Sequence, residues 1–166
     1  MQLRIFPALA IATLLVGCRP QVDLAPRPVR LVLEGVAYEW VLAHGVTGSL
    51  SLSRIEQGGI GRPLLIMTCR NLSVGGLQIR DATAGEGAIS VMAAGEIFSV
   101  PSAPDDAWAG PSFSGEGLLP PDWFDMLAMS TTLTIGYGGK ILEVPAPGTE
   151  AVGHYERYCT KLQNKA

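Results

Sequence analysis

Residues 49–53 read Ser-Leu-Ser-Leu-Ser, and that strict alternation commits the segment to an extended strand with one apolar and one polar face. The same two-residue period returns where Leu77 and Ile79 alternate with Gln78 and Arg80. Around these, strand-like runs are predicted at 31–33, 36–42, 48–54, 63–69, 76–81, 88–93 and 96–100, most of them closed by Gly, Pro, Asn or Asp. Residues 64–67, Leu-Leu-Ile-Met, are apolar without a break, as in a central strand covered on both sides. Gly75-Gly76 and Gly138-Gly139 stand where hairpin turns would need positive φ, the second between Leu133-Thr134-Ile135 and residues 140–144. With 20 Gly, 12 Pro and 48% apolar residues, the chain has many turns and enough apolar material for one hydrophobic core.

Two segments change period. After Pro120-Pro121-Asp122, the residues Trp123, Phe124, Met126, Leu127 and Met129 share one helical face, and Pro121 or Asp122 suits a first turn. Near the end, Val152, Tyr155, Tyr158, Cys159 and Leu162 recur every three or four residues. Thr149 is placed to cap that helix, Glu150 complements its positive end, and Lys161 and Lys165 its negative end. The expected fold is therefore mainly β, an antiparallel β-sandwich or open β-barrel, with a short internal helix at about 121–130 and a C-terminal helix at about 149–163.

The N-terminus has a different character. Arg4 precedes an apolar run over 5–16, and Leu15-Val16-Gly17-Cys18 closes it before Arg19 and Pro20. The run is shorter than the roughly 20 residues that cross a bilayer. It resembles the type II signal peptide and lipobox of bacterial lipoproteins, with Leu15, Val16 and Gly17 as the box and Cys18 as the lipidated residue. The resemblance covers residues 1–18. It implies a signal peptide at 1–17, a lipid bilayer as partner through acylated Cys18, and, since Arg19 rather than Asp follows, an outer-membrane position facing the periplasm of a Gram-negative bacterium. Residues 19–28, with Pro20, Pro26 and Pro28, then read as an extended tether rising about 3.1 Å per residue. Residues 29–166 read as one domain.

The resemblance also bears on the other two cysteines. Acylation of Cys18 leaves Cys69 and Cys159 as an even pair in an oxidising compartment, which implies a disulfide between them. It would staple the terminal helix to the end of the apolar run, and a loop that long stabilises by roughly 4–5 kcal/mol. Two buried free thiols, or a catalytic thiol with a base, are the competing readings. Neither Cys has a CxxC partner or a neighbouring His.

Charge narrows the function classes. The chain carries a net charge of −3, and its middle, from 81 to 139, holds no Lys or Arg while carrying Asp81, Glu86, Glu96, Asp105, Asp106, Glu116, Asp122 and Asp125. That excludes the basic patch of a nucleic-acid binder. Such a segment attracts a cationic protein or Ca²⁺, or serves as the solvated faces of strands. His44 and His154 have no metal-ligand spacing. Gly110-Pro111-Ser112-Phe113-Ser114 departs from the nucleophile-elbow pattern at its last position, and the glycines over 58–61 lack a P-loop Lys. No metal, cofactor or catalytic residue is expected.

Residues 101–117 are predicted to form a long irregular loop, and Asp105, Asp106, Trp108, Phe113 and Glu116 are its candidate partner-binding residues. They would engage a glycan or a cationic protein, or else Trp108 and Phe113 fold back over the core. The expected role is a non-catalytic binding or envelope-structural module. An inhibitor of a cationic cell-wall hydrolase such as lysozyme comes next, and a small hydrolase last.

Overall fold

The computed structural model describes residues 27–43, 48–56, 58–59, 61–81, 87–105 and 111–164. Among the described residues, ten strands follow one another with two helices between and after them: β1 (Val29–Leu33), β2 (Val36–Ala43), β3 (Gly48–Ile55), β4 (Gly61–Cys69), β5 (Val74–Ile79), β6 (Gly87–Ala93), β7 (Glu96–Pro104), β8 (Phe113–Leu118), α1 (Trp123–Met129), β9 (Thr132–Tyr137), β10 (Lys140–Pro145) and α2 (Thr149–Gln163). They form one antiparallel sheet in the order β1-β2-β3-β4-β5-β8-β7-β6-β9-β10, curled until β10 approaches β1. The fold is thus the nearly closed barrel among the expected alternatives, with both helices where the apolar spacing puts them.

The two-residue period decides which side chains face inward. Tyr38, Trp40 and Leu42 of β2, Leu50 and Leu52 of β3, and Leu65 and Met67 of β4 are all buried in one cluster with the inward residues of the other strands. Ten strands enclose more space than strand side chains alone fill. The helices supply the remainder: Trp123, Phe124 and Leu127 from α1 and Val152, Tyr155 and Cys159 from α2 join the same core. Phe98 meets Trp123 edge-on at 5.7 Å between ring centroids, and Phe124 meets Tyr155 at the same distance. No ladder joins β1 to β10. Near that seam the buried Trp40 indole N–H donates to the Pro145 carbonyl at 2.9 Å.

Cys69, at the end of β4, is bonded to Cys159 on the buried face of α2, with Cα atoms 5.8 Å apart. Gly48 makes room for this staple. A Cβ there would meet the Tyr158 ring at 2.5 Å and the Cys69 sulfur at 3.2 Å.

Several local expectations need correction. Gly75-Gly76 makes no turn; both lie inside β5, without positive φ. Their lost side chains leave space for packing, since a Cβ would meet Leu119 at 2.7 Å from Gly75 and the Thr68 hydroxyl at 2.6 Å from Gly76. The β4–β5 turn falls earlier, where Asn71 Oδ1 accepts from the backbone N–H of Ser73 and Val74. The segment 101–117 is no long loop: β7 continues to Pro104 and β8 starts at Phe113. Residues 64–67 lie in β4, but only one side is covered by the core, and Ile66 sits in a groove on the other. Thr149 does not cap α2; the capping position belongs to Gly148 at φ 82°, and the Thr149 hydroxyl donates instead to the Ala128 carbonyl. Asp122 precedes α1 at φ 58° without a side-chain cap. The Gly138-Gly139 hairpin forms as expected, with φ of 52° and 74° and Tyr137 opposite Lys140. Lys165 lies outside the described residues.

Candidate functional site

The outer wall of the barrel bears a groove of about 610 Å³ across β3, β4, β5 and β8. Register explains its shape. Ser51 stands opposite Ile66, Ile66 opposite Gln78, and Gln78 opposite Ser114, while the next row runs Ser49, Thr68, Gly76, Glu116. All point away from the core. Small side chains over four adjacent strands leave a trough, and Gly76 keeps it open.

Gln78 lies at the floor of the groove, only 7% exposed. Its Nε2 donates to Asp105 Oδ2 at 2.8 Å and approaches the Ser112 hydroxyl at 3.5 Å. A carboxylate accepts only from donors, so this bond fixes which end of the amide faces Asp105. The amide oxygen has no hydrogen-bond partner among the described residues, and no side-chain polar atom there is both buried and unpaired, so it opens to the groove. Asp105 and Ser112 are clasped together: Asp105 N–H donates to the Ser112 carbonyl at 2.9 Å, and the Ser112 hydroxyl returns a bond to the Asp105 carbonyl at 2.7 Å. The clasp anchors both ends of the β7–β8 connection beside Gln78.

At the other end of the groove Glu116 pairs with Arg70 at 3.1 Å. The described carboxylates lining the groove are therefore both engaged within the protein, and beside them the lining holds the Arg80 guanidinium, hydroxyls and one amide oxygen.

The candidate residues from the sequence separate. Asp105 and Glu116 line the groove, while Phe113 opens β8 and packs half-buried against the core. Asp106, Trp108, His44 and Cys18 lie outside the described residues. His154 is half-buried on α2. Among the described residues no three His, Cys, Asp or Glu side chains come close enough to hold a metal ion. Ser112, just before β8, is buried in its clasp, and Gly110 of the same motif lies outside the described residues. Gln78 and the serines opposite it were not singled out by sequence reasoning, because a polar residue at every second strand position reads as an ordinary solvated face.

Two tyrosines away from the groove have raised pKa values. Burial holds the Tyr155 hydroxyl far above the usual tyrosine range. Tyr137 is raised first by burial, then by its hydrogen bond to Asp81 and by that carboxylate's charge.

The fold and groove define a single-sheet antiparallel barrel with a lateral trough. Comparison with protein-family models, with curated proteins and with solved structures found no match for the chain.

Proposed function

We propose that this chain is a lipid-anchored envelope lipoprotein that acts as a binding module, without catalysis, and that its ligand lies in the trough across β3, β4, β5 and β8. The observation that carries the binding role is Gln78, nine-tenths buried at the trough floor with its amide nitrogen engaged and its oxygen open. Solvent reaches that oxygen, so a ligand donor takes over from water a hydrogen bond that the trough floor holds in place. Support for a neutral ligand comes from the balance of charge, since Glu116 is paired with Arg70 and the trough lining sets Arg80 against Asp105. The anchoring rests on Leu15-Val16-Gly17-Cys18 and the tether behind it.

The two halves of this reading are tested separately. Intact mass of the processed chain should show a diacylglyceryl-bearing Cys18, and Cys18→Ser should abolish it; an unmodified, unprocessed wild-type chain overturns the anchor. A photoreactive residue at position 51, in the trough, should crosslink in intact cells, whereas one at position 32 should not. Gln78→Leu should weaken the first product, and binding should hold between low and high salt because no net charge is used. Equal crosslinking from both positions overturns the trough.

A further inference from the structure

We propose that the barrel end from which the chain leads back toward Cys18 is a bilayer-contact face, resting on a zwitterionic lipid surface; this depends on the lipoprotein reading. Strand direction supplies the first observation. In an antiparallel order of this kind, the start of β1 lies at the same end as the end of β8, the β6–β7 turn, the start of β9 and the end of β10. Both helices depart from that end too, α1 after β8 and α2 after β10.

The second observation is where apolar side chains are left in water. The described residues include six exposed large hydrophobic side chains. Met92, Ile97, Leu118 and Met129 lie at the chain-entry end; Val32 and Ile141, near the end of β1 and the start of β10, lie at the opposite end. Met92 and Ile97 face each other across the β6–β7 hairpin, and Met129 lines the same shallow depression as Met92. Leu118, 78% exposed, ends the strand beside β7. Single exposed hydrophobic residues need no explanation, but a group gathered on one rim marks a contact.

The third observation names the occupant. Residues 18–28 reach at most about 40 Å when fully extended, so an acylated Cys18 keeps this rim close to the bilayer. Contact is then intramolecular, and weak apolar insertion suffices. This end carries exposed Glu96, Asp122 and Asp125 together with exposed Arg27, Arg70 and Arg157, a mixture without the basic cluster that anionic headgroups select. A zwitterionic surface fits.

The test uses the full chain, processed and acylated, on phosphatidylcholine vesicles, with fast radical labelling read by mass spectrometry. Labelling of Met92, Ile97, Leu118 and Met129 should fall severalfold relative to the Cys18→Ser chain free in solution, while Val32 and Ile141 stay unchanged. Ile97→Ser with Leu118→Ser, both exposed positions, should restore labelling at Met92 and Met129 while acylation persists. Equal labelling on and off vesicles overturns the proposal, as does protection that appears without lipid and grows with protein concentration, the mark of a second copy. If Cys18 carries no lipid, the anchor reading fails by mass alone. The contact face is then judged by coupling the free Cys18 thiol to a maleimide lipid in the same vesicles, and equal labelling of Met92, Ile97, Leu118 and Met129 before and after coupling overturns it.

Discussion

The two ends of the barrel are held together by different physics. At the chain-entry end, the Cys69–Cys159 bond ties β4 to α2, and the aromatic pairs Phe98–Trp123 and Phe124–Tyr155 bind both helices into the core. At the far end, the Asp81 carboxylate accepts from the Tyr137 hydroxyl at 3.1 Å and from Lys140 at 3.2 Å, and the Lys140 ammonium stands 5.8 Å from the centre of the Tyr137 ring. An exposed Arg62–Glu56 pair bridges the β3–β4 connection there, and the comparable exposed pair at the chain-entry end, Arg70–Glu116, only adds to the covalent and aromatic ties. Covalent and apolar ties keep their strength in water, whereas exposed ion pairs compete with it. The helix-bearing end should therefore open last, and the trough, which runs along the wall between the two ends, has one stiff support and one soft one.

The largest test of that contrast is the disulfide. Replacing both Cys69 and Cys159 with Ser should cost roughly 4 kcal/mol, read from the denaturant midpoint, because it frees a long loop in the unfolded chain. A loss under about 1 kcal/mol would mean that the aromatic contacts alone hold this end. Next in size is the seam. Trp40→Phe keeps most of the buried ring but leaves the Pro145 carbonyl without its donor, which should cost about 1–3 kcal/mol and speed amide exchange in β1 and β10. Unchanged exchange there would show that the seam needs no such bond.

The smallest effect belongs to the far end. Asp81→Asn should change stability at neutral pH by less than about 1 kcal/mol. Its clearer signature is in alkali. Tyr137 has a raised pKa in the folded chain, so the stability tied to its neutral hydroxyl is fully present below its unfolded value of about 10 and is lost as pH climbs through the folded value. Tyr155, held higher by burial, adds to the loss in the same direction. Asp81→Asn should bring Tyr137 down toward its ordinary range, visible in the ultraviolet titration of tyrosinate. An unmoved titration would show that burial alone sets it.

Much of this architecture was legible in residue order. The Ser-Leu alternation of β3 and the three-to-four spacing in α1 and α2 survive because side-chain period is local geometry. Strand β8 was missed for an equally physical reason. Its inward positions at 115 and 117 are glycines, so no apolar alternation marks it, and β7 ends in Pro-Ser-Ala-Pro, which reads as loop. Those glycines matter only once β7 lies alongside. A Cβ on Gly115 would collide with the Pro101 carbonyl, and one on Gly117 would meet Val100 at 3.2 Å.

The trough shows the same division. Ser51, Ile66, Gln78 and Ser114 come from four strands, and nothing in their spacing says that they share a row until register aligns them. The sequence by itself determined the strand and helix periods, the apolar inventory of the core and the spacing of Cys69 and Cys159. Tertiary structure alone decided that the sheet curls into a barrel rather than folding into two layers, that glycines serve close packing where turns were expected, and that Gln78 is buried beside Asp105. Periodicity is a property of neighbouring residues along a chain, while closure, register and burial depend on strands that meet only after the chain has folded.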